Sequence, residues 1–404
     1  ANSYEQTETA ANVDEDIIDS LTGGRLVGSV TSFENFAECP LRYYLRYGVD
    51  LKEREEFTFS PVNFGVVLHA VIREVCDEIK KNGESYYLIS EEKRREMVKR
   101  SVSAITDIYQ NSILKDSSRN SFMIKRMEDL ADRTIWAMGE QLKCGDFVPF
   151  VFEHKFNMEV GDGDRKQLMS GTIDRVDICE NDTDVYVRII DYKTGKKDFN
   201  IVKTYYGIDI QLMVYMEAAM KLVAKMRPGK NVIPAGVFYY NISDPIVSAT
   251  TESAEEIEDK IKGELRLKGM VNSDKDIVEK MDNTEGTSLN IPVSRKADGG
   301  FDSRRSKVMN TEQFNMLGRF VDVRAVDTAD RIAGGDIRRS PYKDGQFSSC
   351  DRCPYGAVCG FSVDLPGCNY RKLKKFDDEV LWNNIKEGVD ENGKKMDTGA
   401  EERD

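Results

Sequence analysis

Three consecutive segments, VPFVFEHKFNMEV (148–160), QLMSGTIDRVDIC (167–179) and DVYVRIIDYK (184–193), constrain the fold of this chain more than any other feature. They alternate or run in β-branched and aromatic residues and are separated by GDGDR and ENDT. Such side chains suit a pleated surface, and short breaks rich in Gly, Asp and Asn form turns, so the pattern predicts three strands joined by tight turns. A helix over about 204–227 and a further strand, VIPAGVFYYNI, follow. Strands interleaved with helices make the fold class α/β.

Helical patterns flank this core. TSFENFAECPLRYYLRYG, from Thr31, predicts a helix opened by a capping box of Thr31 and Glu34, closed by Gly48 and broken at Pro40. FGVVLHAVIREVCDEIK places apolar residues at 64, 67, 68, 71, 72, 75 and 79, a helical stripe with His69 at its edge. Further helices are predicted over about 90–113, 118–143 and 311–333. The expected organisation is an acidic, disordered linker (1–28), one domain (29–376) and an acidic tail (377–404). Within the domain we expect a helical part (31–145), the core (148–242), an irregular insertion (243–308) with one short helix near 253–268, and a last part (309–376) with a helix and clustered cysteines.

The net charge of −13 argues against a nucleic-acid partner until its distribution is considered. Residues 1–28 carry −5 and 377–404 carry −6, which leaves the body at −2. A near-neutral body can hold basic grooves, and Lys93, Arg94, Arg95, Lys99 and Arg100 form one candidate stripe, with others at Arg304, Arg305 and Lys307 and at Arg371, Lys372, Lys374 and Lys375. Solvated helix faces are the plainer reading of each. No apolar run is long enough to span a membrane, and the polar first residues are unlike a signal peptide, so the expected location is the cytoplasm, with the chain a fragment of something longer.

If the ENDT hairpin is centred between Asn181 and Asp182, Asp174 faces Ile189, and Asp191 lies two residues on along the same face with Lys193 beyond it. Diagonal neighbours of this kind stand about 7–8 Å apart, within reach of one divalent cation. Two carboxylates and a lysine on one patch suit metal-assisted phosphodiester hydrolysis, although a surface salt bridge would leave the same pattern. Gln211 and Tyr215, four apart in QLMVY, share one helix face. Near the other end, Cys350, Cys353 and Cys359 stand in C-x2-C-x5-C spacing, an incomplete metal site whose fourth ligand could be Cys39 or Cys368. Four thiolates hold either zinc or an iron-sulfur cluster. Cys76, Cys144 and Cys179 lie in periodic segments and read as core residues.

The ordered set GVVLH, GTIDR, IIDYKTG and QLMVY resembles the RecB-like branch of the PD-(D/E)XK nuclease superfamily. The opening SVTSFENFAECPLRYYLRYGVDLKERE, the strand PAGVFYYNISDP and the terminal SPYKDGQFSSCDRCPYGAVCGF extend the likeness to the nuclease regions of AddB subunits of helicase-nucleases, over about 29–375. The resemblance implies a restriction-endonuclease-like core, a central mixed sheet flanked by helices. It implies Mg²⁺ held by His69, Asp174 and Asp191, Lys193 acting on the attacking water, and Gln211 and Tyr215 positioning the strand and the lysine. It also implies a 4Fe-4S cluster on Cys39, Cys350, Cys353 and Cys359, acting as a structural clasp. The implied partners are single-stranded DNA and an AddA-like helicase-nuclease subunit, with cleavage of the 5′-terminated strand during double-strand-break processing. Two competing readings are a non-cleaving module that grips single strands and docks the helicase, and a standalone iron-sulfur nuclease. VDLKERE and PAGVFYYNISDP argue against the standalone form.

Overall fold

The computed structural model describes residues 12–14, 16–18, 27–52, 61–108, 118–160, 167–248 and 253–401. Its longest strand, β3 (Gln167–Glu180), holds the sheet together. Along one edge β3 pairs with β2 (Val148–Val160), antiparallel. Along the other edge its first residues pair parallel with β1 (Val27–Ser29) and its last with β4 (Asp184–Lys193), antiparallel. Beyond β4 the order is β5 (Asn231–Asn241), parallel to β4, then β6 (Lys268–Asn272) and β7 (Val308–Met309). The sheet is therefore mixed, and helices cover both faces, as expected.

Strand periodicity sorts the core into two layers. Val185, Val187 and Ile189 of β4 and Val237 and Tyr239 of β5 pack with α7 (Gln211–Met226) and α10 (Thr311–Ala333). Their neighbours Tyr186, Ile190, Tyr192, Phe238 and Tyr240 pack with α3 (Pro61–Lys81), α4 (Glu91–Ile108) and α5 (Ser118–Lys143). The stripe at 64–79 is thus a core face, and the helix ends of α5 and α10 fall where the sequence places them. The 109–113 end of the expected α4 lies outside the described residues.

The first helix differs from its expected form. α1 (Val30–Glu38) is capped by Ser29, whose hydroxyl accepts from Ser32 N–H at 3.1 Å, and not by a Thr31–Glu34 box. It stops at Cys39, which is extended, and restarts at Pro40 as α2 (Pro40–Tyr43), followed by a π-turn over Tyr44–Gly48. The helix expected over 204–227 is two, α6 (Ile201–Tyr205) and α7. The segment expected to be an irregular insertion holds α8 (Ala254–Glu264), but it also adds β6, α9 (Lys275–Met281) and β7, so it completes the sheet. Within the expected linker, Val13 N–H donates to Gly335 O at 3.0 Å and Ile18 is buried. The tail carries a helix as well. In α11 (Asp378–Glu401) Leu381 and Ile385 are buried in the α7–α10 layer.

One polar group lies deep on the α3–α5 side. Asp177 accepts from Arg175 at 2.7 and 2.6 Å and from Arg188 at 2.8 Å, and all three side chains are essentially inaccessible. Burial alone would raise the Asp177 carboxyl, but the two guanidinium groups hold it below the usual range. Arg188 also lies over the Phe147 ring at 4.8 Å, which supplies the second guanidinium with a π face. Removing the shared anion leaves two buried cations facing each other. Asp177→Ala should therefore cost roughly 3–5 kcal/mol of stability, measured by denaturant unfolding.

Candidate active site

The hairpin register is the first determinant of the site. Val176 pairs with Ile189 and Arg175 with Ile190, so the turn centre lies one residue beyond the expected position and the pairing is shifted by two. Asn181 causes this: its side-chain oxygen accepts from Thr183 N–H at 2.9 Å and Asp184 N–H at 2.7 Å, which makes 181–184 the turn. An even shift keeps every side chain on its face. One step beyond the Arg175–Ile190 pair, Asp174 comes opposite Asp191 instead of diagonal to it, and Asp174 Oδ2 accepts from Tyr192 N–H at 2.7 Å.

Burial and the nearby Asp174 charge push the Asp191 carboxyl up to about 7. Lys193 Nζ lies 2.5 Å from Asp191 Oδ2 and donates to Gln211 Oε1 at 2.9 Å, while Gln211 Nε2 donates to Tyr215 OH at 2.9 Å. Tyr215 reaches this position because position 171 is glycine: a Cβ there would stand 2.6 Å from the Phe156 ring and 3.0 Å from Tyr215. His69, on α3, approaches from the other face of the sheet, with Nδ1 3.5 Å from Asp174 Oδ2. Burial disfavours its charge, yet Asp174 and Glu153 outweigh burial and push it up to about 10. All six residues expected in the site converge.

Three participants were missed. Glu153 on β2 sits 3.8 Å from His69 Nδ1, and the ligand atoms of His69, Glu153 and Asp174 lie within 4.8 Å of one another. Its backbone has φ +47°, and it falls between the pairs Phe152–Arg175 and His154–Ile173, the position opposite Asp174. A non-glycine residue in that region costs about 1–2 kcal/mol, and such strain gathers at functional sites. The available signal was a lone acid inside the apolar run VPFVFEHKF. Lys197 and Asp209 form the second group, 3.0 Å apart, with Asp209 accepting from Tyr239 OH at 2.7 Å and Lys197 4.5 Å from the centre of the Tyr239 ring.

This arrangement brings together three potential cation ligands, a second buried carboxylate and a lysine fixed by an amide. The model of the PD-(D/E)XK nuclease superfamily matches residues 28–360. The chain belongs to that superfamily. Relatives named as subunits of an ATP-dependent helicase/deoxyribonuclease come from Lachnoclostridium phytofermentans (34% identical over 99% of this chain and 34% of the relative), Clostridium acetobutylicum (34%, over 92% and 33%) and Caldanaerobacter subterraneus subsp. tengcongensis (34%, over 96% and 34%). The chain spans about a third of the length of these relatives.

Of the four cysteines expected as a clasp, Cys39, Cys350 and Cys359 have thiols pushed up, by burial first, with the charges of neighbouring thiols of the four adding to it and local hydrogen bonds opposing it. Cys368 is buried. The two ends of the domain are joined around the expected clasp. Leu41 N–H donates to Arg338 O at 3.2 Å, Tyr355 OH to Leu51 O at 3.0 Å, Ser349 Oγ to Glu38 O at 3.5 Å, and Arg371 to Ala37 O. Cys76 and Cys179 are core residues and Cys144 is half-buried. The Lys93–Arg100 stripe is largely neutralised by ion pairs to Glu84, Asp132, Glu91 and Glu78. No helix among the described residues is long and apolar enough to cross a membrane.

Proposed function

We propose that the chain is the nuclease part of a cytoplasmic helicase-nuclease subunit, hydrolysing phosphodiester bonds of single-stranded DNA with Mg²⁺ and cutting the 5′-terminated strand during double-strand-break processing. The observation that carries this reading is the convergence of His69, Glu153 and Asp174 within 4.8 Å beside the Asp191–Lys193–Gln211 chain. The donor set fits a hard divalent cation, with carboxylate oxygens and one imidazole. When bound, the cation supplies Lewis acidity toward the phosphate and lowers the pKa of water. His69 would hold the cation as a neutral imidazole, so binding would release its proton while Asp174 and Glu153 keep a positive charge beside them. Lys193, held by Gln211, is placed to orient the attacking water and to neutralise charge developing on the phosphate oxygens. Tyr215 fixes Gln211 and so keeps the amide oxygen toward Lys193.

Four thiolates can hold either zinc or an iron-sulfur cluster. The likeness of the cysteine pattern to helicase-nuclease subunits, together with the hydrogen bonds that join α1 and α2 to the C-terminal segment, supports a 4Fe-4S group held by Cys39, Cys350, Cys353 and Cys359, which would crosslink the ends of the domain. The names of the relatives support an AddA-like helicase-nuclease subunit as partner.

The test uses end-labelled single-stranded DNA and, with the partner subunit present, duplex DNA labelled at either end. Mg²⁺ should produce cleavage and EDTA should abolish it, with 5′-labelled strands shortened first when the partner subunit unwinds duplex. Tight binding with no product under any divalent cation would instead favour the gripping module.

A further inference from the structure

Gln211 sits at the first turn of α7, and the cap residue of that helix, Ile210, offers no side-chain hydrogen bond. The exposed amides are satisfied from a distant part of the chain. Glu34 Oε1, on α1, accepts from Ile210 N–H at 2.9 Å and from Gln211 N–H at 3.0 Å, across 176 and 177 residues of sequence. A carboxylate at this position satisfies two orphan donors and meets the positive end of the helix dipole. Lys197 faces the same carboxylate, which offsets part of the cost of burying it.

We infer that Glu34 is a positioning residue for cleavage: by gripping the start of α7 it sets the Gln211 side chain against Lys193. The inference rests on the active-site reading above and concerns how that site is held. The connections form a closed ring. Asp174 lies on β3, and β3 pairs with β1 through Ser170 and Ser29. Ser29 caps α1, α1 carries Glu34, and Glu34 holds Gln211 N–H. Gln211 accepts from Lys193, which ion-pairs with Asp191 on β4, and β4 pairs with β3. Each other link in the ring is a strand ladder, a helix or a contact among the proposed catalytic groups. Glu34 is the polar link at the start of α7, and it adds to the packing of that helix on β4 and β5 by fixing the first turn, and with it the amide, relative to the two strands. The far end of α1 is Cys39, so the same helix also joins the cysteine region to the catalytic lysine.

The test is a double-variant cycle on the full protein with single-stranded DNA and Mg²⁺. Glu34→Ala should lower kcat about 10- to 100-fold, as expected when a positioning group is lost, with KM unchanged within about twofold. Glu34→Gln keeps an oxygen at the same reach and should recover to within about threefold of the parent. Combined with Gln211→Ala, Glu34→Ala should add no further loss, because both variants break the same chain of contacts. If Glu34→Ala does not fold, Glu34→Asp, which keeps the charge but withdraws it from the two amides, takes its place in the cycle with the same expectations. Parental kcat for the Glu34 variants alongside an impaired Gln211→Ala would overturn the inference alone. Losses that multiply in the double variant would overturn it too, since a merely structural role gives that result. A Gln211→Ala enzyme at the parental rate would remove the active-site reading and the inference with it.

Discussion

Asp191→Ala should lose cleavage of single-stranded DNA by at least about a thousandfold while the folded protein becomes no less stable. The two halves of this expectation share one cause. Asp191 is almost fully buried, and burial together with the Asp174 charge opposite it pushes its carboxyl up to about 7. In the absence of a cation, two facing carboxylates in a low-dielectric site repel, so the pair destabilises the fold that carries it. Alanine removes that repulsion. It leaves Lys193, which is 28% exposed and can be solvated, so no fully buried charge is orphaned. The loss falls on the reaction instead: a thousandfold corresponds to about 4 kcal/mol of barrier, within what a carboxylate beside a bound cation and the reacting lysine can supply. The informative measurement pairs initial cleavage rates in Mg²⁺ with urea unfolding in EDTA. Cleavage at more than about a tenth of the parental rate would remove Asp191 from the reaction. Equal loss of activity and stability would make it a structural residue.

The site was legible to the extent that it depends on parity and spacing. Asp174, Asp191 and Lys193 lie two apart or on facing strands, so a turn displaced by one residue, fixed by Asn181, still left them on one face. Gln211 and Tyr215 follow from the helix repeat. Glu153 did not emerge, because its role depends on a positive φ that the pattern of β2 does not betray. Glu34 was misread for an instructive reason. An acid three residues after a threonine is the local signature of a capping box, but here its carboxylate caps a helix that begins 176 residues away. β6 carries Lys, Gly and Asn among its five residues and β7 is only Val308–Met309, and their place in the sheet comes from pairing with β5 and with each other, which no local pattern encodes. For the proposed cysteine set, spacing alone left Cys39 and Cys368 as rivals, and only a likeness to other proteins favours Cys39.

Under the proposed cluster, Cys353→Ser should reduce bound iron to a small fraction of the parental content and cost several kcal/mol of stability, whereas Cys368→Ser should change neither. Cys39 and Cys350 are 311 residues apart in sequence, and a crosslink between them closes a loop that contains every strand of the main sheet except β1. By analogy with a disulfide, closing so long a loop lowers the entropy of the unfolded chain by roughly 5 kcal/mol. Single hydrogen bonds near the thiols, such as Leu41 N–H to Arg338 O and Tyr355 OH to Leu51 O, each contribute about 1 kcal/mol. They cannot replace a covalent crosslink, so α1 and α2 should loosen from the C-terminal segment when it is lost. Because α1 also carries Glu34, cleavage should weaken with them, but less than in Asp191→Ala, since the proposed cation ligands on α3, β2 and β3 and the Asp191–Lys193 pair on β4 stay in place. Iron and zinc analysis of anaerobically prepared protein, absorbance near 400 nm and urea unfolding of both variants would check each step. Zinc in place of iron would overturn the cluster, and a Cys368→Ser variant that loses metal would move the fourth ligand away from Cys39 and the clasp with it.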